Sequence, residues 1–262
     1  MVHGVPDRPE APQDHPESHS DHALPPGPGR LRADPLQAVL FDFHGTLAQV
    51  EDPVAWVVQA ARACGVDLER PRATVLADRL VTAGRAGGPP PYRVPPQLAE
   101  VYADRDLYEH AHRAAYTGLA ATVDCGIEGL AEALYERLLD PVGWVAYTDT
   151  VPTLKTLRAA GFPVAVVSNI GFDIRPICER LGFADLVDAF VLSYEIGYCK
   201  PDPAIFQRAC GLLRADPELT LMVGDTPADA GAVRAGCRAL IIPAAPPGAA
   251  GGAAAVLDLA GI

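Results

Sequence analysis

Residues 39–48 read VLFDFHGTLA. An apolar run stops at a carboxylate, Asp42, and is followed within four residues by Gly45 and Thr46. The run QAVLF (37–41) is short, β-branched and aromatic, as in a strand buried on both faces. Comparable runs follow: PVAVVS at 163–168, AFVLS at 189–193, LTLMVG at 219–224 and RALIIP at 238–243. Between the later runs lie helical patterns at 151–161, 173–182, 203–213 and 227–236. Strand and helix alternate, which predicts a doubly wound α/β architecture: a parallel sheet with helices on both faces. Continuous apolar strands agree with a sheet covered on both sides.

The stretch from about 49 to 147 breaks this rhythm. Helical patterns occupy 53–64, 71–86, 97–119 and 127–140, and GRAGGPPPYRVPP (84–96) reads as a loop between two of them. No convincing strand is visible there, so 49–147 is expected to be an all-helical insertion after the first strand. Residues 35–48 and 148–262 then form the core. Residues 1–34 are rich in Pro, Asp, His and Gly and too poor in apolar residues to pack, which predicts a disordered tail. The histidines of that tail (His3, His15, His19, His22) read as part of a solvated polar segment.

Composition narrows the function. The chain has 262 residues, 49% of them hydrophobic, enough to bury a sizeable core. Its formal net charge of −12 repels nucleic acid and anionic membranes. An anionic substrate would need local positive charge or a metal. No apolar segment has the form of a signal peptide or a membrane span. The cysteines at 64, 125, 178, 199, 210 and 237 form no metal-ligand spacing and read as reduced thiols in a cytoplasmic protein. The chain is expected to act as a monomer or homodimer on a small molecule.

In open parallel sheets, ligands bind beyond the carboxyl ends of the strands. Here those ends carry polar residues. The first strand ends at Asp42, the second at Ser168 and Asn169, and the fourth at Gly224 and Asp225, with Asp229 four residues on. Lys200 and Pro201 precede the helix that leads into the fourth strand. Each residue also has a plain structural reading. Ser168 and Asn169 form turns; Lys200 is a solvated lysine; Asp229, three residues after Thr226, fits a helix-capping arrangement. Together they make one constellation: carboxylates for a hard cation, hydroxyl and amide donors for an oxyanion, and one fixed cation. Mg²⁺ binds through one or two carboxylates plus substrate phosphate, so the set describes phosphoryl transfer.

The same residues resemble the motifs of the haloacid-dehalogenase-like (HAD) superfamily. DFHGTL (42–47) is similar to the D-x-D-G-T-L motif of that family. VVSN (166–169), KPD (200–202) and GDTPAD (224–229) are similar to its second, third and fourth motifs, in the same order. The resemblance implies a Rossmann-like core, a helical cap and an Mg²⁺-dependent hydrolase working through an aspartyl intermediate. It makes Asp42 the nucleophile. Asp225 would bind the metal together with Asp42 and the backbone carbonyl of His44, and Asp229 would orient or join that shell. Thr46, Ser168 and Asn169 would bind phosphoryl oxygens, and Lys200 would offset the crowded negative charge.

One position departs from the pattern. His44 stands where family phosphatases carry a second aspartate, the acid/base. Histidine titrates near neutral pH and can serve both as acid and as base. The expected activity is therefore hydrolysis of a small phosphorylated metabolite. The alternatives are a phosphotransferase or slow phosphatase with a persistent aspartyl-phosphate, a haloacid dehalogenase, and a non-catalytic regulatory binding protein. Retention of Asp225 and Asp229 argues against the dehalogenase. Arg62, Arg79, Arg93, Arg105 and Arg113 are the candidate cap contacts. His110 and His112, two apart on a helix, point to different faces.

Overall fold

The computed structural model describes Met1 and residues 35–262. The tail expected over 1–34 therefore lies outside the described residues, Met1 apart. Five strands form the main sheet: β1 (Ala38–Phe41), β4 (Val164–Ser168), β5 (Ala189–Leu192), β6 (Thr220–Gly224) and β7 (Arg238–Ile241). Their order is β5-β4-β1-β6-β7, and every pairing is parallel. Phe41 pairs with Val166 on one side and Val223 on the other, so β1 sits at the centre.

Alternation along the strands divides the core in two. Val39, Phe41, Val164, Val166, Leu221 and Val223 face one apolar layer. Leu40, Ala165, Val167 and Met222 face the other. Helices α6 (Thr150–Ala159), α7 (Arg175–Arg180) and α10 (Ala255–Ala260) cover the first layer, and α9 (Pro203–Leu213) covers the second. A short helix, α8 (Ser193–Ile196), follows β5. All four residues of β1 are fully buried, which is why this strand carries no polar side chain before Asp42. The chain leaves β1 toward β4 and leaves β6 toward β7, so the strand order reverses between β1 and β6. The crevice beyond that reversal is where such sheets bind ligands.

The insertion holds α1 (Pro53–Ala63), α2 (Arg70–Ala83), α3 (Ala99–Ala103), α4 (Glu109–Ala121) and α5 (Leu130–Leu139). Asp52 starts α1 by accepting from the amides of Val54 (2.9 Å) and Ala55 (3.2 Å), with Pro53 in the first turn. Trp56, Val57, Leu76, Leu80, Leu130 and Leu134 build a separate apolar cluster among these helices.

Three expectations change. The insertion is not strand-free: β2 (Ala48–Val50) and β3 (Trp144–Ala146) pair antiparallel at its two ends. Three-residue strands whose partners lie so far apart in sequence give no local periodicity to read. The helix expected over 97–119 breaks between α3 and α4, where the Asp106 carbonyl accepts from the Ser193 hydroxyl of the core. The helix expected over 227–236 is a 3-10 run, Asp229–Ala235, with its Gly231 packed against Pro201.

Candidate active site

Asp42 leaves β1 with its amide bonded to the Val223 carbonyl at 2.8 Å, so the sheet itself aims the side chain. Lys200 reaches in from the loop before α9. Its ammonium donates to Asp42 Oδ1 (2.7 Å), Asp229 Oδ1 (2.6 Å) and the Val167 carbonyl (3.0 Å). All three donor positions of the ammonium are filled. The lysine is 4% exposed and Asp229 is fully buried. Burial works against the charged form of Lys200, but Asp42 and Asp229 together outweigh it and hold the pKa above the usual lysine range.

The other oxygen of Asp229 accepts from the Thr226 amide (3.0 Å) and hydroxyl (2.7 Å). Both carboxylate oxygens of Asp229 are thus committed to protein donors. Asp225 is different: its Oδ1 is buried and has no partner. Gly45 permits this closeness. Its φ is +84°, and a Cβ there would overlap the Asp225 carboxylate.

Ligand atoms of Asp42, Asp225 and Asp229 all lie within 4.8 Å of one another. Three carboxylates against one ammonium leave two negative charges uncompensated. Burial pushes the Asp42 carboxyl up to about 7 even against Lys200, with Asp229 and Asp225 adding to the shift. Burial also raises Asp225, and Asp229 adds to that shift. An all-oxygen donor set with a charge deficit of two and an orphaned carboxylate oxygen suits a hard divalent cation. Asp42 and Asp225 have the free oxygens to hold it; Asp229 serves by fixing Lys200 and Thr226.

The expected anion-binding residues separate. Thr46 is buried with its hydroxyl unpartnered, a donor available to an oxyanion. Ser168 is buried at the carboxyl end of β4. Asn169 is spent elsewhere: its amide accepts from the Lys200 backbone amide (2.7 Å) and donates to the Lys200 carbonyl (2.9 Å). Its oxygen and one of its two N–H groups thus position the lysine.

His44 is partly buried, edge-on to Trp144 at 5.8 Å, and its Nε2 meets Gln49 Oε1. The Val50 amide also donates to Gln49 Oε1 (3.0 Å), which fixes that atom as the oxygen. Nε2 therefore carries the hydrogen, and the lone pair of the neutral ring lies on Nδ1. Loss of solvent lowers the His44 pKa to about 4, against the Gln49 hydrogen bond and with the Arg85 charge adding to the drop. A neutral ring accepts a proton but has none to spare for a leaving group.

The cap arginines named from sequence are engaged in other contacts, though the charge of Arg105 reaches Cys199, the neighbour of Lys200. Arg62 pairs with Asp67 at 3.3 Å, and Arg113 pairs with Glu132 and Glu136. Arg79 and Arg93 line an outer groove with Tyr92 and Thr122. Arg105 stacks on Tyr102 and pairs with Asp106 at 3.2 Å. His112 is buried on the Tyr135 hydroxyl (2.8 Å) whereas His110 is exposed, so they do face apart.

Two residues were missed. Gln49, on β2, orients His44. Arg85, in the GRAGG loop, is 6% exposed and lies close enough to act on the His44 charge. The glycines around Arg85 were the available signal, since they mark close backbone approach. Indeed, a Cβ on Gly87 would stand 2.6 Å from His44 Nε2.

Residues 36–236 match the family model described as haloacid dehalogenase-like hydrolase. Haloacid dehalogenase-like hydrolase domain-containing protein 3 of Bos taurus is 29% identical over 195 residues, covering 73% of this chain and 74% of that protein. (S)-2-haloacid dehalogenase 1 of Pseudomonas sp. (strain CBS-3) is 29% identical over 207 residues, 76% of this chain and 80% of that one. A phosphoglycolate phosphatase of Nitrosospira multiformis is 27% identical over 206 residues, 77% and 80% of the two chains.

Proposed function

The chain belongs to the haloacid dehalogenase-like hydrolase family, and on that premise we propose that it is an Mg²⁺-dependent phosphomonoesterase with Asp42 as nucleophile. The observation that carries this reading is the orphaned Asp225 carboxylate beside Asp42. A buried carboxylate oxygen with no hydrogen-bond partner, crowded against two further acids, suits a site that takes a cation better than one that attacks carbon without metal.

Asp42, Asp225 and the His44 backbone carbonyl would hold Mg²⁺, which when bound would supply positive charge between the carboxylate and a phosphate dianion. Asp42 attacks phosphorus; its new O–P bond forms as the ester O–P bond breaks. Lys200 fixes the attacking carboxylate and offsets part of its charge. The Thr46 hydroxyl and the strand end at Ser168 receive the phosphoryl oxygens. The departing alkoxide takes its proton from solvent, because the His44 N–H is held by Gln49. In the second step water attacks the aspartyl-phosphate, its proton passes through His44 Nδ1 to solvent, which replaces the proton taken by the alkoxide, phosphate leaves and the Asp42 carboxylate is restored.

Neutral His44 also favours a second reading. Displacement of halide from carbon by Asp42 needs no proton on the leaving group, and one relative carries that activity in its name. A panel of phosphate esters with and without Mg²⁺, beside 2-chloropropionate, separates the two. Metal-dependent phosphate release, faster with aryl than with alkyl leaving groups, is expected. Chloride release in EDTA without phosphatase activity would replace this reading with the second.

A further inference from the structure

Two thiols that the hydrolytic site does not use lie side by side in the core. Cys210, near the end of α9, and Cys237, just before β7, have their sulfurs 3.7 Å apart, in hydrogen-bond contact. Both are buried, in the apolar layer beneath α9 with Leu40, Phe206, Met222 and Ala232. They are 27 positions apart in sequence, with β6 between them, so no local pattern marks them as partners. The backbone holds each in place. The Cys237 amide donates to the Ala232 carbonyl and the Cys210 carbonyl accepts from the Ala215 amide, both at 3.1 Å. Packing alone asks for no thiol here, because cysteine fills such a layer as a small apolar residue and alanine would do the same.

The pair is not part of a metal centre. Among the described residues, the three ligating side chains that stand close enough for an ion are Asp42, Asp225 and Asp229, and two thiols alone do not close a site. The contact instead makes one sulfur a nucleophile. A hydrogen bond from Cys237 lowers the Cys210 pKa to about 7, against burial and with Thr220 adding to the drop. The same bond, together with burial, raises Cys237. The thiolate is the reactive form of cysteine. A disulfide needs sulfurs about 2.05 Å apart, so each must move by a little under ~1 Å, which is within the reach of side-chain rotation.

We propose that Cys210 and Cys237 form a reversible disulfide, with a peroxide as oxidant and a dithiol as reductant. The Cys210 thiolate attacks one peroxide oxygen; an S–O bond forms as the O–O bond breaks, giving a sulfenic acid and hydroxide. The proton that left Cys210 turns this hydroxide into water. The Cys237 sulfur then attacks the Cys210 sulfur; the S–S bond forms, the S–O bond breaks, and the Cys237 proton leaves with the hydroxyl as a second water. Two electrons pass from the two sulfurs to one peroxide. A dithiol returns them by exchange and becomes the disulfide itself. The bond would act on two segments that the active site already joins. The helix α9 starts three residues after Lys200, the 3-10 run starts at Asp229, and these two side chains are paired at 2.6 Å. The ion pair ties the heads of the segments and the disulfide ties their tails, with Gly231 packed on Pro201 between them. The closed loop of 27 positions also restricts the unfolded chain. None of this depends on the phosphomonoesterase reading.

The test treats full-length protein, reduced and then freed of reductant, with hydrogen peroxide. Remaining thiols are alkylated in denaturant, and unreduced peptides are mapped by mass spectrometry. The expected product is a single chain in which the Cys210 and Cys237 peptides are joined, while the more exposed Cys64, Cys125 and Cys199 are still alkylated. Dithiothreitol should restore both thiols. Alkylation of Cys210 and Cys237 while the more exposed thiols are consumed overturns the proposal. A link between two chains, or a Cys210 sulfinate with no link, overturns it as well. The oxidised protein should melt ~5–15 °C above the reduced one, as closure of a loop of this length implies. A linked protein that melts within about 1 °C of the reduced one refutes the tie between the two segments. Cys237→Ala should gain nothing from peroxide and should leave Cys210 as a sulfenic acid that dimedone traps. Should that variant fail to fold, the peptide map of the wild type decides by itself.

Discussion

Two buried cations serve this molecule under opposite conditions. Lys200, in the core, has every donor filled, two of them by carboxylates at 2.7 and 2.6 Å. Arg85, in the cap, has a carbonyl, an aromatic face and an idle Nε. The core half of the site is electrostatically assembled around the Lys200 ammonium. Arg85 is compensated only at longer range, by Glu51 and Asp52. A charge that is satisfied within the protein holds other groups in place.

Four substitutions or additions would break or sharpen that contrast. Asp42→Asn should reduce turnover by ~10⁴-fold or more, as loss of a nucleophile does, while circular dichroism stays native. Phosphate release at the parent rate would remove Asp42 from the mechanism. Lys200→Met leaves Asp42 and Asp229 buried without their shared partner, and should cost ~3–5 kcal/mol in denaturant unfolding. A loss under 1 kcal/mol would mean that the core pairing is no tighter than a surface one. Mg²⁺ at ten times its dissociation constant should stabilise wild type by ~1.4 kcal/mol and Asp225→Ala by much less. Equal shifts in melting temperature for both proteins would place the ion elsewhere. Arg85→Met should alter stability by no more than ~1 kcal/mol, because the lost hydrogen bond and stacking are offset by relief of an unpaired charge. A cost like that of Lys200→Met would show Arg85 to be structural after all.

The core was readable because its signals are local. Five apolar runs mark the strands, and Asp42, Ser168, Lys200, Asp225 and Asp229 sit where those runs end or turn back. What the sequence did not disclose depends on partners distant along the chain. Asn169 looks like an oxyanion donor until Lys200, 31 residues on, takes both ends of its amide. His44 looks like an ordinary titrating histidine until burial, against the Gln49 hydrogen bond, lowers its pKa. Arg85 was passed over because a buried arginine and a solvated one are written alike; the five arginines that were named are paired, stacked or set along an outer groove. The pair β2 and β3 was invisible for the same reason, since Val50 finds its partner at Trp144.

That two-stranded ribbon bears on how the chain reaches its fold. The pairing of Val39 with Val164 spans 125 positions, a costly loop to close. Once Ala48 is bonded to Ala146, the free chain between those partners is the nine steps from 39 to 48 and the eighteen from 146 to 164, about 27. Because closure entropy grows with the logarithm of loop length, the shortcut lowers the cost by roughly 1.4 kcal/mol. The ribbon acts as a clasp: with it fastened, the central strand finds its neighbour almost as though the insertion were not there.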